Sequence, residues 1–300
     1  MRVWTTLLLA STLMSAGCVK QMAVNALADS LTGEGGGSFT SDDDIEFMGD
    51  VVPFALKVME SLVDSAPDHV GLHDSLCSGY TQYAMVWVMW PAEQQKFEDY
   101  DLYRHGQDRA RRFLRRAWTY GMGGLELRHP GFSELLYRDS DAALAMLDDE
   151  DEVGAIYWVA ASWLARISLS KEDMEALAEL PLAAGLLQRA LALDEDYDYG
   201  AVHDLLIALE PSLPMPGGME RAREHFARAE ELNRGRRASP YVSLALSVSL
   251  SEQNRAEFVE LMERALDVDA EAIPAETLGI RYSQEQAAYY LEHLDDLFAE

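Results

Sequence analysis

The sequence predicts an all-α fold, a solenoid or bundle of about four helix–turn–helix repeats. Two observations predict it. Apolar residues recur at helical spacing along most of the chain, and no stretch shows sustained period-2 alternation bounded by hairpin turns. In addition, a pattern of alanine, three residues, a large apolar residue, two residues and alanine recurs. That pattern marks the second helix of a TPR-type helix pair, where small residues let helices approach and the large one fills the groove between them. An irregular helical bundle is the alternative.

The chain begins with Met1 and Arg2, an apolar stretch from Val3 to Leu13, and then Ser15, Ala16, Gly17 and Cys18. This is the layout of a secretory leader over residues 1–17, too short to span a bilayer. A cysteine after Ala-Gly resembles a bacterial lipobox, although Ser15 stands where leucine is commonest; an ordinary secreted chain is the other reading. Lipidation at Cys18 would anchor the protein to a membrane by its acyl chains. Residues 18–44 read as a lipidated N-terminus and flexible tether. A short helix is expected near Met22 to Leu31, and a linker at Gly33, Gly35, Gly36, Gly37 and Ser38. A single all-α domain is expected over 45–300. Asp42, Asp43 and Asp44 suit its first helix N-terminus.

Val52, Ala55, Met59 and Leu62 share one face of a helix over about 45–65. Leu72, Leu76, Tyr80, Tyr83 and Trp87 share one face of a second, which Pro91 is expected to end. A third is expected over about 94–120, stopping before Gly121, Gly123 and Gly124. It carries six arginines between Arg104 and Arg116, expected to pair with acids and lie along the surface. Leu125 to Asp151 reads as irregular, and the acids Asp148 to Glu152 as a solvated loop feeding a helix N-terminus or a docking patch. The repeat pattern then appears at Ala110, Leu114 and Ala117; at Ala183, Leu187 and Ala190; and at Ala222, Phe226 and Ala229. It recurs more loosely at Phe258, Met262 and Ala265. The last alanines are evenly spaced apart from the first interval, which is about two periods long.

The composition excludes several functions. The net charge of −28 disfavours nucleic acid, since acidic chains repel phosphate backbones. Beyond Cys18 only Cys77 remains, so the fold must rest on packing and not on an internal disulfide. The chain has no nucleophile elbow, P-loop or zincin motif. Asp194, Asp196 and Asp198 mimic the start of a calcium loop, but Tyr199 and Leu205 stand where glycine and glutamate are required. No catalytic residue, metal or cofactor is expected.

From Gly154 onward the chain resembles the T-component family of tripartite ATP-independent periplasmic (TRAP) transporters. The residues that carry the likeness are Tyr157, Trp158, Ala161 and Trp163; Glu179-Leu180-Pro181; Arg189-Ala190-Leu191; and Leu193-Asp194-Glu195 with Tyr197. Gly200-Ala201 with His203, Gly217-Gly218, Ala222, His225-Phe226 and Ala229 follow, then Leu294 to Phe298. Upstream, Gly79-Tyr80-Thr81 and Tyr83-Ala84 also fit. The resemblance implies a lipoprotein with a lumen through its helix pairs, tending to form a homotrimer. It also implies a periplasmic solute-binding protein as partner, passing a small organic solute through that lumen. The first helices of the pairs are expected to line the lumen through Tyr83, Tyr157, Trp158, Trp163 and His203. A generic scaffold lipoprotein without a small-molecule role is the competing function. The expected location is the periplasmic side of a bacterial membrane, and Val19 after Cys18 favours the outer one.

Overall fold

A computed structural model describes residues 24–32 and 37–298. The leader, Cys18 and residues 33–36 of the glycine linker lie outside the described residues. Every regular element among the described residues is helical.

Helix α1 covers residues 24–32. α2 is Gly37–Thr40 and α3 is Ile45–Val63. Asp44 caps α3 by accepting from the Phe47 amide at 2.8 Å. The stretch expected as a free tether is partly docked. Ala28 is buried, and His69 and Asp29 are 3.0 Å apart, tying α1 to the chain just before α4, Val70–Gln82.

Pro91 does not stop the second helix. The helix widens into a π-turn, Tyr83–Met89, and runs on through α5, Trp90–Glu93. The wider turn shifts the hydrogen-bond register just where proline supplies no N–H. Nor do the glycines stop the third. α6 runs from Tyr100 to Arg128, straight through Gly121, Gly123 and Gly124. A Cβ at Gly121 would lie 2.6 Å from both Cys77 Sγ and Val159 Cγ2. The glycines therefore mark close helix packing and not a terminus. Most of Leu125 to Asp151, expected as irregular, falls into the end of α6 and two short helices, α7, Phe132–Arg138, and α8, Ser140–Leu144. The acids that follow make a 3₁₀ turn, Glu150–Glu152, at the start of α9, Val153–Ser168.

The remaining helices are α10, Met174–Ala178; α11, Leu180–Leu193; α12, Tyr197–Leu209; α13, Gly218–Asn233; and α14, Ser239–Leu244, prolonged by a second π-turn, Ala245–Ser249. Then come α15, Arg255–Leu266; α16, Thr277–Glu292; and α17, Leu294–Leu297. Four pairs stack in order: α4 with α6, α9 with α11, α12 with α13, and α14 with α15, followed by α16. Each first helix also touches the next first helix, so α4, α9, α12, α14 and α16 form an inner layer. The second helices form the outer one.

The repeat residues sit at these interfaces. Ala110, Leu114, Ala117, Ala183, Leu187, Ala190, Ala222, Ala229, Phe258, Met262 and Ala265 are all fully buried. Phe226, expected to be buried between paired helices, is only half-buried; its ring stands edge-on to Tyr241, 5.6 Å away, and Tyr241 takes the deeper position.

The stack closes on itself. Trp90 at the end of the first inner helix packs against Tyr282, Tyr289 and Tyr290 of α16, and the Tyr289 hydroxyl donates to the Gln94 carbonyl at 3.2 Å. The last inner helix thus meets the first. α2 and α3 also contact α16.

Candidate functional site

Closure of the inner layer leaves a cavity of about 600 Å³. All five inner helices contribute to its wall and none of the outer partners does. From the first come Gln82, Met85, Val86 and Trp87; from α9, Tyr157, Trp158, Ala161 and Ala165; and from α12, Asp204, Leu205 and Ala208. α14 and α16 add Ser243, Leu246, Ser247, Leu278 and Tyr282 among others. A second, mostly apolar cavity of about 500 Å³ shares Met85, Ala165, Leu205 and Ala208 with the first. Both π-turns of the inner layer, at Tyr83–Met89 and Ala245–Ser249, supply wall residues. Such turns re-aim side chains relative to an ordinary helix face and recur at functional sites.

The expected lumen residues divide. Tyr157 and Trp158 lie in the wall, ring centroids 5.2 Å apart and edge to face. Trp163 does not. It is fully enclosed against Trp118, and its Nε1 donates to Glu179 Oε2 at 2.8 Å. Five residues along a helix turn the side chain well over a quarter circle, so Trp163 faces the gap between inner and outer layers. Tyr83 also faces the outer layer, where its hydroxyl accepts from Arg109 and its ring meets Phe113 of α6 edge-on. His203 pairs with His225 of α13, Nδ1 to Nδ1 at 2.8 Å, and is buried. Burial lowers the pKa of both imidazoles and so favours their neutral forms, in which one ring can donate to the other.

Three of the six arginines between Arg104 and Arg116 are engaged locally, and Arg104, Arg112 and Arg115 are exposed. Arg109 lies over Tyr83 and Phe113, Arg116 reaches the Tyr80 hydroxyl and Glu60, and Arg111 pairs with Asp108. Among the described residues, no group of three metal-ligating side chains is poised for an ion.

The polar end of the cavity was not anticipated. Asp198, Tyr199 and Gly200 all have positive φ, of 46°, 57° and 86°. For the two non-glycine residues this is a sparsely populated conformation that surrounding contacts must hold. It aims the Asp198 carbonyl and carboxylate at Arg237, which follows α13. Arg237 Nη1 donates to the Asp198 carbonyl and to Oδ2 at 3.2 Å, while Nη2 donates to Glu276 Oε2 at 2.8 Å. Asp204 Oδ1 accepts from Ser243 at 2.7 Å. Burial pushes the Glu276 carboxyl up to about 7, against the pull of Arg237, with Asp198 reinforcing the rise. Burial opposes the charge on Arg237, but Asp198, Glu276 and Asp204 together hold its proton more tightly than usual. The only sequence signal for this clamp was Gly200 behind a run of Asp and Tyr.

A family model described as the TRAP transporter T-component matches residues 41–298. The chain belongs to the TRAP transporter T-component family. A relative in Treponema pallidum (strain Nichols), an uncharacterized protein, is 28% identical over 96% of this chain and 95% of its own length. The match to the T-component covers the whole helical stack, so the cavity belongs to the part shared with the family. Membership makes this protein an accessory component of a transporter, in a family that is not one of enzymes. No helix among the described residues is long and apolar enough to cross a membrane.

Proposed function

We propose that this T-component is exported, anchored through a lipid on Cys18 at the periplasmic side of a bacterial membrane, and works beside a periplasmic solute-binding protein. In this reading its inner helices enclose a passage for that protein's small organic solute. The outer membrane and a homotrimer belong to the same proposal. One observation carries it: five inner helices converge on one cavity, and a second cavity shares a wall with it at Met85, Ala165, Leu205 and Ala208. Two adjoining compartments with a thin common wall suit passage better than a single closed pocket does. A pure scaffold needs no such space, since repeat proteins usually bind partners on open surfaces.

The test has two arms. Cys18→Ala should move the protein from the membrane fraction to the soluble one; unchanged membrane association would remove the anchor from the proposal. Ala208 is exposed within the shared wall, so Ala208→Trp adds bulk to the passage without displacing core atoms. It should keep the helical circular dichroism of the parent while abolishing solute uptake in the native host. Full uptake by a folded Ala208→Trp protein would leave the scaffold reading in front.

A further inference from the structure

The charges in the cavity wall say what it would hold. The chain as a whole has 52 acids to 24 basic residues, so an acidic excess alone decides little. Placement decides more. Asp198 and Asp204 come from α12 and Glu276 from the 3₁₀ turn Pro274–Glu276 just before α16, and all three act on one guanidinium, that of Arg237. Among the described residues no other cation lies in this wall.

Arg237 is already committed on both terminal nitrogens, to Asp198 and to Glu276. A solute carboxylate would have to break one of those bonds and would still face the remaining carboxylates. An ammonium meets the opposite situation. Asp204 accepts one hydrogen bond, from Ser243, and an ionised carboxylate has lone pairs for more. Tyr157 stands in the same wall, within electrostatic reach of Asp198, Asp204 and Arg237. No hydrogen bond engages its hydroxyl among the described residues. A polar atom left without a protein partner in a cavity wall is a contact held open for water or a solute. Tyr157 is flanked by the Trp158 and Tyr197 rings, so the quadrupole attraction that organic cations find in aromatic sites comes chiefly from Trp158 in the wall. The rest of the wall, including Met85, Leu205, Val242 and Leu246, is apolar.

We propose that the cavity takes an organic solute with an ammonium group on an apolar body. The ammonium is seated near Asp204 and Tyr157, and the body runs along Trp158 toward the second cavity. This rests on the reading of the cavity as a solute passage.

The test is calorimetric titration of the mature, lipidated protein with three molecules of one shape and different charge: benzylammonium, benzyl alcohol and benzoate. Benzylammonium should bind at least about tenfold tighter than benzyl alcohol, and benzoate most weakly. Asp204→Asn keeps an acceptor for Ser243 and leaves both hydrogen-bond partners of Arg237, Asp198 and Glu276, in place. It should lower benzylammonium affinity about tenfold and leave benzyl alcohol unchanged. Should Asp204→Asn fail to fold, Tyr157→Phe removes only the hydroxyl and should weaken benzylammonium alone. Equal binding of all three molecules, or tighter binding of benzoate, would overturn the ammonium assignment while leaving a solute cavity standing. No binding of any of them, with intrinsic tryptophan fluorescence unchanged, would overturn the cavity reading along with it.

Discussion

Two tryptophans of α9, five residues apart, should respond very differently to truncation. Trp163 has no exposed surface, packs at 5.4 Å from Trp118, and donates from Nε1 to Glu179. Removing a large buried aromatic costs about 3–5 kcal/mol in transfer and cavity terms. Glu179 keeps Arg166 as a partner, so the lost hydrogen bond adds only about 1 kcal/mol. Trp163→Ala should therefore lose about 4–6 kcal/mol. Trp158 is half-buried and borders a space that already exists, so its truncation enlarges that cavity and strands no enclosed void. It should cost only about 1–2 kcal/mol, the transfer term for a partly covered side chain. Urea unfolding followed by far-ultraviolet circular dichroism would measure both, with the slope checked for constancy so that the midpoint shift reports stability. In a chain of this size each kcal/mol moves the melting point by roughly 2–4 °C, so the two variants should be well separated. Equal losses, or a larger loss for Trp158→Ala, would refute the assignment of these two rings to different layers.

Gly121→Ala should destabilise by about 1–3 kcal/mol, because its Cβ would sit 2.6 Å from Cys77 Sγ and Val159 Cγ2 in a packed interface. Gly123→Ala meets only the His73 ring, at 2.9 Å and on a half-buried surface, and should cost less; a reversed order in thermal melts would contradict the packing. Glu276→Gln tests the clamp by pH. The folded-state pKa of Glu276 is raised to about 7 and faces Arg237 and Asp198, with Asp204 also acting on Arg237. A raised carboxyl pKa means its contribution is fully present below the ordinary carboxylate range and is lost as pH climbs through about 7. The stability of Glu276→Gln relative to the parent should thus rise from acid to about pH 8; a flat or opposite trend in denaturation midpoints would count against a buried, protonation-prone Glu276.

Helices were legible in this chain because a helix reveals itself locally, through which residues repeat every three or four positions. Ala110, Leu114 and Ala117, or Ala183, Leu187 and Ala190, needed no knowledge of the rest of the fold to be seen as one apolar stripe. Signals with two physical meanings were less readable. A glycine can end a helix or let another helix approach, and at Gly121 only the nearness of Cys77 and Val159 separates the two. A proline can break a helix or follow a widened turn, and Pro91 does the second. The cavity was harder still, since an inner helix has two apolar faces, one toward its partner and one toward the cavity. Tyr83, Trp163 and His203 are aromatic for the first face, Tyr157 and Trp158 for the second, and composition does not tell them apart. What does is closure of the ring, through Trp90 on α16, which depends on residues far apart in sequence. The charged clamp is of the same kind. Asp198, Arg237 and Glu276 lie on three separate segments, and each alone reads as one more charge in an acidic chain. Only when the stack closes does a single guanidinium meet several carboxylates in one wall, and only then does their arrangement bear on what the cavity would accept.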